Sequence, residues 1–229
     1  MNEINDSRRR FLRNGWLLYA AAAMPALLSS CKQTYQVEGL SPVPDSNGLL
    51  LPPNCSSRII ARSGSRVENT AYVWHAGPDG GGVLPVEDGG WIYVSNSELD
   101  HGKGGVAAIL CDSGGQIVTA CAILQGTNRN CDGCITPWRT WLSCEEVSRG
   151  IVWECDPLGE KRAVARPALG VFRHESAVVD PDSLTLYLTE DEEDSCFYRY
   201  RPASVAEGRP DLEHGILEAA VVDASGRVA

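Results

Sequence analysis

The sequence predicts an all-β chain assembled from repeated four-stranded units, and three observations carry that expectation. From residue 58 onward Gly and Pro recur every few positions, and no apolar pattern of helical period is long enough to build a helix. Short runs of alternating apolar and polar residues, divided by turn-forming clusters, fill the same region. Aromatic residues then mark a repeat: Trp91, Trp141 and Tyr187 follow one another at 50 and 46 residues, each in a strand-like run that ends in acids. Four short strands at that period are what a β-propeller blade requires, so about three blades are expected.

Taken in order, the first repeat offers strands at 82–86, 90–98, 105–110 and 116–124, with Glu98 and Asp100 closing the second run. The next offers 140–146, 150–155 and 162–166, and its aromatic strand closes on Glu145 and Glu146. The last offers 174–179, 185–189 and 196–201, the first two joined by Asp180-Pro181-Asp182-Ser183, where Pro sets a turn φ and Asp can bond its own backbone. Residues 211–222 supply at most one more strand. Five consecutive acids, Glu190 to Asp194, stand between two of these strands, and such a run must either lie in water or bind cations. Glu192, Glu193 and Asp194 read as a solvated loop, and Trp91, Trp138, Trp141 and Trp153 as blade packing.

The amino terminus reads as an address. Arg8, Arg9 and Arg10 precede Phe11 and Leu12, and the apolar run from Trp16 to Leu28 is too short to span a bilayer, as in an export signal. The paired arginines resemble a twin-arginine signal. Leu28-Ser29-Ser30-Cys31 resembles a lipobox whose cysteine is lipidated. A plain secretory signal and an uncut anchor are the alternatives. The expected organisation is a signal at 1–30, a Ser-, Pro- and Gly-rich linker at 31–56 and a β domain at 57–229, exported to the periplasm or cell surface and anchored through Cys31.

Removing residues 1–30 takes away four Arg, Glu3 and Asp6, which leaves 16 basic and 28 acidic residues and a net charge of −12. That balance argues against nucleic acid or anionic lipid as a partner. It suits a protein that gathers carboxylates on metal ions, although acidity also maintains solubility. Eight cysteines remain beyond Cys31, an even number that permits disulfides in an exported chain. Cys131-Asp132-Gly133-Cys134 has no second pair at zinc-ribbon spacing, so a structural or disulfide role is the stronger reading.

Three segments resemble the PhoX family of bacterial alkaline phosphatases, in that family's order. They are residues 74–81 (WHAGPDGG) with 89–98 (GGWIYVSNSE), residues 130–146 (NCDGCITPWRTWLSCEE), and residues 171–177 (VFRHESA) with 187–191 (YLTED). The resemblance covers roughly residues 58–202 and implies a propeller whose central channel holds calcium and ferric iron and hydrolyses phosphate monoesters. It implies calcium as cofactor, with iron as a second ion, and the twin-arginine export machinery as a partner. By the same resemblance Glu175 and one of Glu145 or Glu146 are metal ligands, followed by Asp79, Glu98 and Asp191, while Arg173 contacts a phosphate oxygen. Arg173 and Glu175 are thus the expected catalytic pair, and His174 is either a supporting donor or a structural residue. The family ring needs about twice as many blades, so the chain is expected to be part of a larger ring: a truncated or frameshifted reading of a longer gene, a fragment of one, or a half that self-associates with a copy of itself. The alternative is a non-catalytic propeller fragment or binding module on an exported lipoprotein.

Overall fold

The computed structural model describes residues 39–41, 43–221 and 227. The expected twin-arginine signal and Cys31 lie outside the described residues. The chain divides into two compact units, Met1–Ile59 and Ile60–Ala229. The described part of the first carries no helix or strand. Its turn is organised by Asp45, whose carboxylate accepts the backbone N–H groups of Asn47 and Leu49 at 2.9 and 3.0 Å.

The second unit holds three antiparallel four-stranded sheets. The first contains β1 (Pro78–Pro85), β2 (Trp91–Ser97), β3 (Gly104–Cys111) and β4 (Ile117–Thr127), paired in chain order. The second contains β5 (Asn130–Ile135), β6 (Trp141–Glu145), β7 (Val152–Cys155) and β8 (Val164–Ala165), again in order. The third contains β9 (His174–Val179), β10 (Leu186–Glu190), β11 (Phe197–Pro202) and β14 (Gly215–Ala219). A small hairpin, β12 (Val205–Ala206) with β13 (Arg209–Pro210), is inserted before the last strand. A 3-10 turn at Pro167–Leu169 is the one helical element among the described residues. The described residues are therefore all-β, as expected, and close no ring.

Two strands differ from the sequence reading for one physical reason. β1 begins at Pro78 rather than residue 82, and β5 is a full strand where the sequence shows only a Cys-, Asp- and Gly-rich segment. Glycine weakens the strand signal but permits close backbone approach. A Cβ on Gly81 would lie 2.5 Å from the Val94 carbonyl oxygen, and one on Gly133 1.7 Å from that of Leu142.

Strand alternation distributes the core on both sides of the sheets. Along β3, Val106 and Ala108 join the cluster shared with Trp141 and Cys155 of the second sheet, whereas Ala107, Ile109 and Cys111 pack with Val67 and Trp74. Trp141 turns toward the first sheet, while Leu142, Cys144 and Val152 pack on Ala177, Leu186, Leu188 and Tyr200 of the third. Each fully buried leucine contributes about 1.5–3 kcal/mol relative to an exposed one. This sheet-on-sheet stacking places β5 against both β1 and β9, so the three leading strands run side by side.

Candidate functional site

The three leading strands begin alike. Pairing is interrupted between Pro78 and Gly81, between Asn130 and Gly133, and opposite β10 between Leu188 and Glu190, where His174 and Ala177 mark the registers of β9. A bulge leaves residues unpaired and re-aims their side chains. The second residue of each strand lies in its bulge: Asp79, Cys131 and Glu175.

The second strands end alike. The first residue past each donates its backbone N–H to the residue just before the leading strand of the same sheet. These bonds join Glu98 to Gly77 at 2.8 Å, Glu146 to Arg129 at 2.9 Å and Asp191 to Arg173 at 3.1 Å. Three sheets therefore present two sets of equivalent positions, Asp79, Cys131 and Glu175 from the bulges and Glu98, Glu146 and Asp191 from the strand ends.

Cys131, Glu146 and Glu175 each bring a ligand atom to within 4.8 Å of the others. Cys131 and Glu146 are buried and Glu175 is half-buried, whereas Asp79 and Asp191 are exposed. Burial raises the Glu175 carboxyl, and Glu146, Asp191 and Asp79 raise it further against a lowering contact from Cys131. Burial likewise pushes the Cys131 thiol up, reinforced by Asp79, Glu175 and Glu146. Negative groups that oppose one another's ionisation in one place are relieved by a bound cation.

Two arginines flank the cluster. The Nη2 of Arg129 pairs with both Glu98 and Glu146, the latter at 2.8 Å. Arg173 lies 3.7 Å from Glu146 and 3.2 Å from Glu192. Glu98 is thus linked to the cluster through Arg129 rather than standing among the three converging ligand atoms.

The structure separates Glu145 from Glu146. The Glu145 carboxylate accepts the Asn128 backbone N–H at 2.9 Å and the Trp153 indole N–H at 3.0 Å, so it supports the sheet and does not face Glu175. His174 is fully buried, 3.2 Å from the Gly170 carbonyl through Nε2 and 3.7 Å between ring centroids from Phe172. Burial lowers its pKa to about 4, as suits a neutral structural residue.

Two residues that the sequence reading did not place in the site are Cys131 and Arg129. Cys131 follows Asp79 by 52 residues and precedes Glu175 by 44, so aligning the repeats on the bulged position would have found it. Its bulge is held by Asn96 of β2, fully buried, whose Nδ2 donates to the Cys131 and Asp132 carbonyls at 2.9 and 3.1 Å. The Asn96 Oδ1 accepts Trp141 Nε1 and Ser143 Oγ, both at 2.9 Å, which fixes the amide in place. Ser176 of β9 bonds Asp132 from the other side at 2.8 Å.

Residues 147–229 match the family model for alkaline phosphatase PhoX. The carboxy-terminal part of this chain is therefore similar to the PhoX family. The solved structure of Pseudomonas fluorescens PhoX in complex with vanadate, a transition state analogue, matches it with a TM-score of 0.52 at 20% sequence identity. That alignment covers 65% of this chain and 46% of the Pseudomonas PhoX chain, so it spans less than half of that relative, and at this identity it speaks for the fold. No curated protein matches the sequence. The stretch matching the PhoX model contains Arg173, Glu175 and Asp191, whereas Asp79, Glu98, Cys131 and Glu146 precede it.

Proposed function

We propose that this chain is a metal-dependent phosphatase acting on phosphate monoesters. The observation that carries the reading is the convergence of Cys131, Glu146 and Glu175 within 4.8 Å, from two adjacent sheets, in a chain whose residues 147–229 match the PhoX model. The donor set fits metal ions: carboxylate oxygens suit calcium, and a thiolate favours a softer ion such as iron. Glu146, Glu175 and Cys131 would hold them, with Asp79 and Asp191 at the exposed rim and Glu98 adjoining through Arg129. Bound there, such ions supply Lewis acidity toward a phosphoryl oxygen and a nucleophile derived from water at neutral pH.

The chain's own residues supply orientation. Arg173, about a third of its side chain exposed, offers a planar guanidinium to a phosphate oxygen. Glu146 lies within reach of this arginine and of Arg129, so carboxylate and guanidinium positions are fixed relative to each other. Asn96 and Ser176 hold the bulge that carries Cys131. Neither a serine nucleophile nor a histidine base is required by this arrangement, and the buried, neutral His174 takes no part in it.

The wider reading places these sheets as blades of a β-propeller, supported by three consecutive four-stranded meanders whose leading strands lie together. It places the chain outside the cytoplasm through twin-arginine export, with a lipid on Cys31 and residues 31–56 as the tether, supported by the residues of the amino-terminal segment. Self-association is supported by the outer face of the third sheet, where Val178, Phe197 and Ile216 are exposed. The direct test is release of phosphate from a chromogenic monoester in the presence of calcium, with and without iron. Turnover that Glu175→Gln abolishes while the fold survives supports the reading, and a metal-loaded chain without turnover overturns it.

A further inference from the structure

Arg129 and Arg173 occupy the same place in successive sheets. Each is the residue immediately before a leading strand, and each accepts through its carbonyl the N–H of the acid that follows the second strand. The corresponding residue of the first sheet is Gly77, so the two guanidiniums are confined to the second and third sheets.

Both guanidiniums reach the same buried carboxylate. Glu146 takes Arg129 on one oxygen at 2.8 Å and has Arg173 3.7 Å from the other. The two side chains are equally accessible, at 35% each, while the Glu146 side chain between them is only 6% exposed. Their hydrogen bonding is incomplete in the same way. Both contacts of Arg129 run through Nη2, and its Nε is buried without a hydrogen-bond partner among the described residues. The Arg173 Nε, although 3.2 Å from Glu192, is also buried without a hydrogen bond among them. A buried donor with nothing to accept it is costly unless a ligand completes it.

We propose that Arg129 and Arg173 act as a paired clamp, one guanidinium on each side of Glu146, that selects a terminal phosphate over a phosphodiester. The inference rests on the phosphatase reading for its monoester substrate and goes beyond it in assigning Arg129 a role and in giving that preference a physical basis. A terminal phosphate presents three unesterified oxygens and close to two negative charges, enough for two planar forks. A diester presents two such oxygens and one charge, and its second ester group meets one of the arginines. Glu146 between the forks keeps them apart and oriented rather than repelling each other.

The experiment measures calorimetric binding of inorganic phosphate to the full folded chain in calcium, for the unmodified protein, Arg129→Gln, Arg173→Gln and Arg129→Lys. Monoester and diester turnover are followed in parallel. Each glutamine variant is expected to weaken phosphate binding by about tenfold or more, as loss of a charged hydrogen-bonding partner does. Arg129→Lys keeps the charge that pairs with Glu98 and Glu146, so it is expected to melt with the unmodified chain and yet lose monoester preference with the planar fork. Phosphate affinity and monoester preference unchanged in Arg129→Gln overturn the clamp, and so does an unmodified chain that binds no phosphate. Phosphate binding that needs both arginines without any turnover leaves the clamp standing and removes the hydrolytic reading. Turnover that is indifferent to Arg129 does the reverse.

Discussion

Glu145 and Glu146 are adjacent in the chain, yet only Glu146 brings its carboxylate to the Cys131 and Glu175 ligand atoms. Glu145 is the last residue of β6 and holds the Trp153 indole at 3.0 Å, whereas Glu146, one residue past the strand, turns to Arg129. Glu145→Gln is therefore expected to lower stability by about 1–3 kcal/mol, through imperfectly replaced buried hydrogen bonds, and to leave bound metal unchanged. Glu146→Gln is expected to lose metal and turnover. Denaturant unfolding and elemental analysis of the two variants separate these roles.

The approach of β1 to β5 depends on a missing side chain. A Cβ on Gly80 would lie 2.3 Å from Asp132 Oδ1 and 2.6 Å from its Cα, and a backbone atom cannot rotate away. Gly80→Ala is expected to cost about 1–3 kcal/mol in unfolding free energy, as overpacking does, and to weaken metal binding by displacing the Cys131 bulge. A stable variant with unchanged metal affinity would show that the two strands part without consequence for the site.

Asn96 is expected to act on the site from the neighbouring sheet. Asn96→Ala removes both donors to the β5 carbonyls and the acceptor for Trp141 and Ser143. The loss is about 1–3 kcal/mol for each buried group left unsatisfied. A thiol titration should report a more reactive Cys131 in this variant than in the unmodified chain, because the bulge that shields it is no longer held.

Stability in acid is expected to depend on Glu154, far from the proposed metal ligands in function. Burial opposes its charge, but hydrogen bonds from Trp138, Arg166 and Thr140 and the charge of Arg209 outweigh this and lower its pKa below 4.5. The unfolded chain then binds this proton more readily than the folded one. Its contribution is complete above pH 4.5 and is lost as pH falls through the lower folded value. Glu154→Gln, which leaves the Arg166 guanidinium without its 2.6 Å partner, is expected to cost about 3–5 kcal/mol at neutral pH and to flatten the acid limb of stability against pH. An unchanged acid limb would place that dependence on other carboxylates.

Much of the fold was legible because alternation and aromatic spacing are local. The run at 174–179 coincides with β9, and the second strands of all three sheets fall where the Trp91, Trp141 and Tyr187 repeat places them. The leading strands were harder to read, since Gly80, Gly81 and Gly133 serve backbone approach and erase the strand signal. Glu175 and one of the Glu145–Glu146 pair were named from the sequence, but which of the two faces the cluster depends on where β6 ends, a matter of one residue. The sequence presents Cys131 as a structural or disulfide cysteine; the structure shows a free thiol, and the bulge that brings it to Glu175 leaves no mark in its own Cys-x-x-Cys motif. Arg129 was missed because its counterpart, Arg173, is recognised only once the hydrogen bonds to Glu146 and Asp191 are seen to be equivalent.

The most direct test of the central claim is the elemental metal content of the folded chain from Lys32 onward, after equilibration with calcium and iron, beside that of Glu175→Gln. Stoichiometric calcium, with iron if the Cys131 thiol takes part, is expected in the unmodified chain and should fall in the variant. A folded chain that retains no metal, or a Glu175→Gln variant that retains all of it, would contradict a metal site built on Cys131, Glu146 and Glu175.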